Sequence, residues 1–376
     1  MRSGGSPGPR RRRRRRAVWV ALLGATLLLL GPPASAATWT RVASPNLTQF
    51  DNVLFGVDAT SSSNAWAVGR ADDVTSPFRR PLIQRWNGTS WSIVPSPRPA
   101  VDSELRDVDA SSASNAWAVG FTSGGSSAAL IQRWNGASWT TVPGPSGSGI
   151  LLGVKTLSAS DAWVVGSRST VGPFDSMAAR WNGTSWTPVA TPIPDGQLGS
   201  QLNAVDGTSS SDLWAVGQAG GGDYQVSQPI ILRWNGSAWS AVATPAAIDA
   251  TLEGVVALAS NDVWAVGREF NRDLLWHVPW VLHWNGQSWR KVAAPAVLGA
   301  GLSAVTALSP TRVYAVGGGS LVLRWNGSSW TRESIPSSAG SLWDAAALGP
   351  STVWAVGQRT RTNGASGTSI VRTTNG

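Results

Sequence analysis

The residue types that most often carry chemistry are scarce in this 376-residue chain, which has two histidines, two tyrosines and no cysteine. Without cysteine there is no disulfide, no thiolate metal site and no Cys nucleophile. His277 and His283 have no organised carboxylate cluster beside them, so no transition-metal site is expected. Gly220-Gly221-Gly222 lacks the strand and helix flanks of a phosphate cradle, and no Ser nucleophile motif stands out. No cofactor is expected. Acids remain, and paired carboxylates could hydrolyse a glycosidic bond, but the sequence does not say which of them converge. What the chain has in excess is tryptophan, with 23 residues.

The tryptophans recur in a repeated unit. One column, in Trp-Ala-Val-Gly or a close variant, holds Trp66, Trp117, Trp163, Trp214, Trp264, Tyr314 and Trp354. A second, in Arg-Trp-Asn-Gly, holds Trp86, Trp134, Trp181, Trp234, Trp284 and Trp325. A third holds Trp91, Trp139, Trp186, Trp239, Trp289 and Trp330. Each unit opens on a leucine: Leu54, Leu105, Leu151, Leu202, Leu252, Leu302 and Leu342. Successive units lie 40 to 51 residues apart. Trp and Val suit a pleated, half-buried surface, and Asn-Gly reads as a type I′ hairpin turn with both central residues at positive φ. The four sequons at Asn87, Asn182, Asn235 and Asn326 are explained by that turn. Each unit therefore reads as four short strands.

Seven such units predict an all-β fold, a seven-bladed β-propeller of four-stranded antiparallel blades. The seventh unit stops on its hairpin turn and lacks a fourth strand. Thr38-Trp39-Thr40-Arg41-Val42-Ala43-Ser44-Pro45 matches the missing piece. Blade seven is expected to be a composite of residues 342–376 and 38–45, with the N-terminal strand closing the ring and removing two exposed sheet edges. A side chain recurring at one place in every blade fills space within or between blades. That assigns the column tryptophans to structure and leaves Trp276, Trp280 and Trp343 for function. Trp276 and Trp280 share parity with Leu282 and Trp284, so a packed third strand accounts for them equally well.

The formal net charge is +9, but residues 1–36 hold eight arginines and no acid. The rest has 22 basic against 21 acidic residues, which argues against a nucleic-acid partner. The run Arg10–Arg16, the apolar stretch Ala17–Leu30 and the site Ala34-Ser35-Ala36 have the order of a secretory signal peptide. The expected domains are a signal in residues 1–36 and a single propeller in 37–376, placed extracellularly or at the cell surface. No stable membrane span is expected after cleavage, because 14 apolar residues are too few.

Ala65–Gly69 and Arg85–Trp91 resemble the kelch-type repeat, a likeness that extends over nearly all of residues 38–376. It departs in having one glycine after most of these strands where the family has two; Gly317-Gly318 comes closest. Asp-box propellers are similar in strand layout, but Trp86 stands where that box needs Asp. The resemblance implies a propeller and no single activity. The copper-radical oxidases of the kelch-like kind need a Cys-linked Tyr and are excluded.

In a four-stranded meander the first-to-second and third-to-fourth turns lie on one face of the disc, and here they are uniform. The other face carries variable loops, where binding usually resides. Tyr224, Trp276 and His277 are candidate ligand-binding residues there. The residue after each opening leucine also varies, and Arg106, Glu253 and Trp343 are expected to line a ligand site at the channel mouth. The favoured reading is a monomeric binding or scaffold module for a glycan or surface protein. An extracellular polysaccharide-active hydrolase or lyase is the alternative.

Overall fold

The computed structural model describes residues 1, 3–5, 37–72, 78–147, 149–168, 174–192, 199–220 and 226–375. Most of the basic N-terminal segment, Asp73, Asp223 and Tyr224 lie outside them. The propeller unit spans Ala36–Gly376. It consists of seven four-stranded antiparallel sheets. Blade one is Asn52–Ser61, Asn64–Ala71, Arg80–Trp86 and Trp91–Ile93, and blades two to six repeat that order. The first strands of adjacent blades touch all the way around, so the leucine strands are innermost.

Blade seven joins Ser341–Leu348, Thr352–Thr360 and Ser366–Thr373 to Trp39–Arg41 from the other end of the chain. Trp39 pairs with Thr373 and Arg41 with Val371. Beyond the strand, Val42 N donates to Ile370 O at 2.9 Å, and Ser44 Oγ to Thr368 Oγ1 at 2.8 Å. The N-terminal strand closes the ring as the sequence predicts.

The tryptophan columns form the joints between blades. Trp66 of blade one meets Trp134 and Trp139 of blade two, with ring centroids 4.9 and 5.0 Å away. The same three-ring contact recurs from Trp117, Trp163, Trp214, Trp264 and Trp354 to the next blade. The joint between blades six and seven is smaller. There Tyr314 meets Trp39 alone at 6.0 Å, and Thr373 occupies the second column. Arg85, Arg133, Arg180 and Arg233 lie over these rings. His283 takes the arginine's place by stacking on Trp264 at 4.2 Å and pairing with Asp262 at 2.8 Å.

The Asn-Gly turn differs from the expectation. Trp86 pairs with Trp91, so four residues form the loop, not two. Gly88 has φ 101°, but Asn87 is not in the left-handed region. Its Oδ1 instead accepts the amides of Thr89 and Ser90, both at 2.9 Å. The side chain caps the turn and removes the need for a second positive φ.

Candidate functional site

The glycine of Trp-Ala-Val-Gly shapes the channel mouth. A Cβ on Gly69 would lie 1.9 Å from Val53 O, and the six equivalent glycines are as tight. Only glycine lets the inner strand come this close. At that point the register skips one residue, from Leu54↔Gly69 to Gly56↔Val68. The skip recurs in every blade. The bulged residue is the one after the opening leucine: Phe55, Arg106, Leu152, Asn203, Glu253, Ser303 and Trp343. A bulge re-aims a side chain out of the ladder. Seven variable side chains thus ring the mouth on the variable-loop face.

Two groups stand out in this ring. On one side Trp343 and Phe55 have centroids 6.4 Å apart. Arg106 lies 4.5 Å over Phe55 and 5.5 Å from Phe121, in cation–π range. Buried Glu104 pairs with Arg106 and with Arg70 Nη1, the latter at 2.9 Å. On the other side Asn203 Nδ2 and Thr251 Oγ1 donate to the Glu253 carboxylate at 3.1 and 3.0 Å. Burial pushes the Glu253 carboxyl up, opposed by the Thr251 hydrogen bond and Arg268. Arg106 and Trp343 are therefore bridged through Phe55, while Glu253 belongs to a separate polar group.

Trp276 and His277 lie elsewhere, at the outer end of blade five. There Asp262–Asn271 and Trp276–Trp284 form a long hairpin. Trp280 is fully buried among the blade-five core residues, so its parity with Leu282 reports packing, whereas Trp276 is 56% exposed. His277 Nε2 lies 3.0 Å from Asp249 Oδ2, and its ring meets Phe270 edge-on.

The exposed large apolar side chains of the described propeller residues share one face. Phe78, Phe174 and Val226 lie on second-to-third-strand loops of blades one, three and four. Leu274 and Leu275 lie on that loop of blade five and Trp276 opens the strand that follows it, with Ile248 and Leu298 on the flanking fourth-to-first loops. Trp343 is at the mouth of the same face. The turn face exposes none. It does hold an open depression of about 840 Å³ lined by Asn115, Arg133 and Ser158 among others. Arg133 there is committed to Asn115, the Ala159 carbonyl and the Trp117 ring.

One feature of the channel was hidden in the inner-strand pattern. Asp58, Asp107, Asp109, Asp206 and Asp344 line the inner strands with Lys155. Each aspartate accepts a backbone amide of the next blade: Asp344 from Val57, Asp58 from Ala110, Asp107 from Val154, Asp109 from Thr156 and Asp206 from Ala257, at 2.6–2.9 Å. Lys155 Nζ lies 2.8 Å from Asp206 and 3.6 Å from Asp109. Burial pushes Asp58 and Asp344 up to about 7 and holds Asp107 well above the usual carboxylate range. Burial also raises Asp109, opposed by Lys155. The two carboxylates hold the lysine charged. Val-Asp after the opening leucine, in Val57-Asp58, Val108-Asp109 and Val205-Asp206, was the available signal. Among the described residues no group of three or more His, Cys, Asp or Glu is placed to hold a metal ion.

No protein-family model matches this chain, and no curated protein matches it in sequence. Solved structures do match in shape. YCF48 from Cyanidioschyzon merolae is 15% identical with a TM-score of 0.57, covering 90% of this chain and 99% of that one. YCF48 bound to D1 peptide is 14% identical with a TM-score of 0.58, covering 91% and 100%. The WD40 repeats of RRP9 are 13% identical with a TM-score of 0.61, covering 90% and 98%. At these identities the likeness is one of fold, and what the chain shares with these proteins is the β-propeller.

Proposed function

We propose that this chain is an exported binding module whose variable-loop face seats a protein ligand at the cell surface. The observation that carries this reading is the one-sided distribution of exposed apolar side chains. Patches of this kind on a rigid scaffold mark interaction surfaces. The mouth adds a mixed aromatic, cationic and acidic ring of the sort that orients a ligand. One of the similar propellers, YCF48, is named as bound to a peptide, which accords with this use of the fold. The raised aspartates each accept a neighbouring blade's amide, which gives them a part in joining the blades. Export rests on the order of charged, apolar and small-residue segments in residues 1–36, and the monomeric state on closure of the ring. The kelch-type reading of the repeat rests on Trp-Ala-Val-Gly and Arg-Trp-Asn-Gly-x-Ser-Trp.

The test uses the secreted chain against a peptide array and a glycan array, with a polysaccharide hydrolysis screen alongside. Peptide binding that weakens on substitution of variable-face residues, and not of Asn135 or Thr140 on the turn face, supports the reading. Binding of glycans alone, or polysaccharide cleavage, overturns it.

A further inference from the structure

Five of the exposed apolar side chains gather at the outer end of blade five: Ile248, Leu274, Leu275, Trp276 and Leu298. The backbone brings them together. Phe270 N donates to Ile248 O at 3.0 Å, and Gly299 N to His277 O at 2.9 Å, so both flanking loops add to the long hairpin. A Cβ on Gly299 would lie 3.4 Å from the Trp276 ring, which leaves that indole against the loop carrying Leu298.

The hairpin tip does not need these side chains for its own shape. Asn271 Oδ1 caps the turn by accepting the amides of Asp273 and Leu274, each at 3.0 Å. Leu275 has φ 56°, a left-handed conformation that Asn or Gly adopts at lower cost. It is also 71% exposed. An exposed leucine in a strained backbone, beside an exposed leucine and tryptophan, gains nothing within this chain.

We propose that this blade-five cluster is the anchor site for a short apolar segment of a partner protein. The proposal rests on the reading of the variable face as a protein-binding surface, and it names the place and the chemistry of the ligand. Size argues for a short segment. The five side chains are between 37% and 71% exposed, which keeps the patch within the few hundred Å² found on monomers. A standard stable interface needs about 800 Å² per partner, so a second copy of this chain is a poor fit. Charge argues for an uncharged apolar ligand. Lys291 pairs with Glu269 and His277 with Asp249, and Arg272 is followed by Asp273 in the tip. Arg268 is offset by Glu253, so among the described residues of the hairpin and its flanking loops no cationic excess remains to attract an anionic membrane. The segment seats by its side chains and not as an added strand. Pro279 on the third strand has no N–H to offer a strand laid along the blade.

The probe is a phage library of random dodecapeptides panned on the full chain. The selected peptide is then synthesised with a fluorescein label and read by polarisation. We expect selected peptides with two or more apolar anchors, binding at least tenfold more tightly than a scrambled version. The double variant Leu275→Ser, Trp276→Ser should weaken binding by about tenfold or more, as loss of central anchors does. Arg106→Ala, Trp343→Ala, which removes mouth groups that orient the ligand without anchoring it, should weaken it several-fold less than the blade-five pair does. Both pairs include partly exposed side chains, and an unchanged denaturation midpoint confirms the fold in each. If the mouth variants abolish binding and the blade-five variants do not, the anchor site is wrong and the binding-face reading stands. If no peptide is enriched, or neither pair matters, both fail. Trp276-dependent flotation with phosphatidylcholine vesicles, or Leu275-dependent dimerisation by light scattering, replaces the peptide with a lipid surface or a second copy and overturns the inference.

Discussion

Removing the Trp39 side chain tests the closure of the ring quantitatively. Trp39 is 5% exposed and contacts Tyr314 with centroids 6.0 Å apart. Trp186 is its counterpart in blade three. That ring is 6% exposed and meets two partners, Trp117 at 5.1 Å and Trp181 at 5.6 Å. Burial of a large aromatic gives about 3–5 kcal/mol on truncation to alanine. An aromatic pair adds about 0.5–1.5 kcal/mol. Trp186→Ala should therefore fall near the top of that range, and Trp39→Ala nearer about 3 kcal/mol, because Thr373 leaves it one ring short. With an unfolding entropy of about 2.1 cal/mol/K per residue, each kcal/mol lowers the midpoint of a propeller this size by roughly 1.5 °C. The expected shifts are about 4 °C for Trp39→Ala and about 7 °C for Trp186→Ala. Trp276→Ala, at an exposed site, should shift it by less than about 1 °C. Thermal unfolding followed by tryptophan fluorescence, with calorimetry on the same samples, reads all three. If Trp39→Ala matches Trp276→Ala, the N-terminal strand is not a structural part of blade seven and the reasoning fails.

Gly217→Ala should destabilise the protein by about 2 kcal/mol or more, since its Cβ would meet Gln201 O at 1.9 Å. Gly318→Ala, with open space around it, should be tolerated; equal denaturation midpoints for the two would show that the bulge does not need glycine. Stability should fall as pH rises from about 4 to about 7, because Asp58 and Asp344, raised to about 7, hold protons in the folded state that the unfolded chain has released. Each contributes a slope of about −1.4 kcal/mol per pH unit at most. Asp58→Asn should flatten the urea-derived slope by up to one proton, and an unchanged slope refutes the assignment. Asn182→Ala should cost about 1 kcal/mol in chemical denaturation, since Asn182 Oδ1 caps Thr184 N and Ser185 N, both at 2.9 Å; no loss would mean that glycine alone holds the turn.

Much of this molecule follows from local pattern. The three tryptophan columns, the opening leucines and the Asn-Gly turns specify seven four-stranded units. The stray Trp39 segment completes the seventh. These are legible because each is a short-range rule repeated many times. The variable position after each leucine was also visible, and the mouth it lines could be anticipated. Three things needed the assembled ring. The aspartates of the channel look like solvated strand residues until the next blade supplies an amide for each. Trp276 and Trp280 have the same parity on one strand, yet one is exposed and the other is fully buried. How far the core and the flanking loops reach along the blade separates them, and sequence periodicity does not encode that reach. Finally, Leu274 and Trp276 are neighbours in sequence, but Ile248 and Leu298 join them only because two loops from successive blades add to the same hairpin. The sequence by itself determined how many blades there are and where the chain must close. Tertiary structure decided which side chains meet across blades, and hence which face of the disc is left apolar.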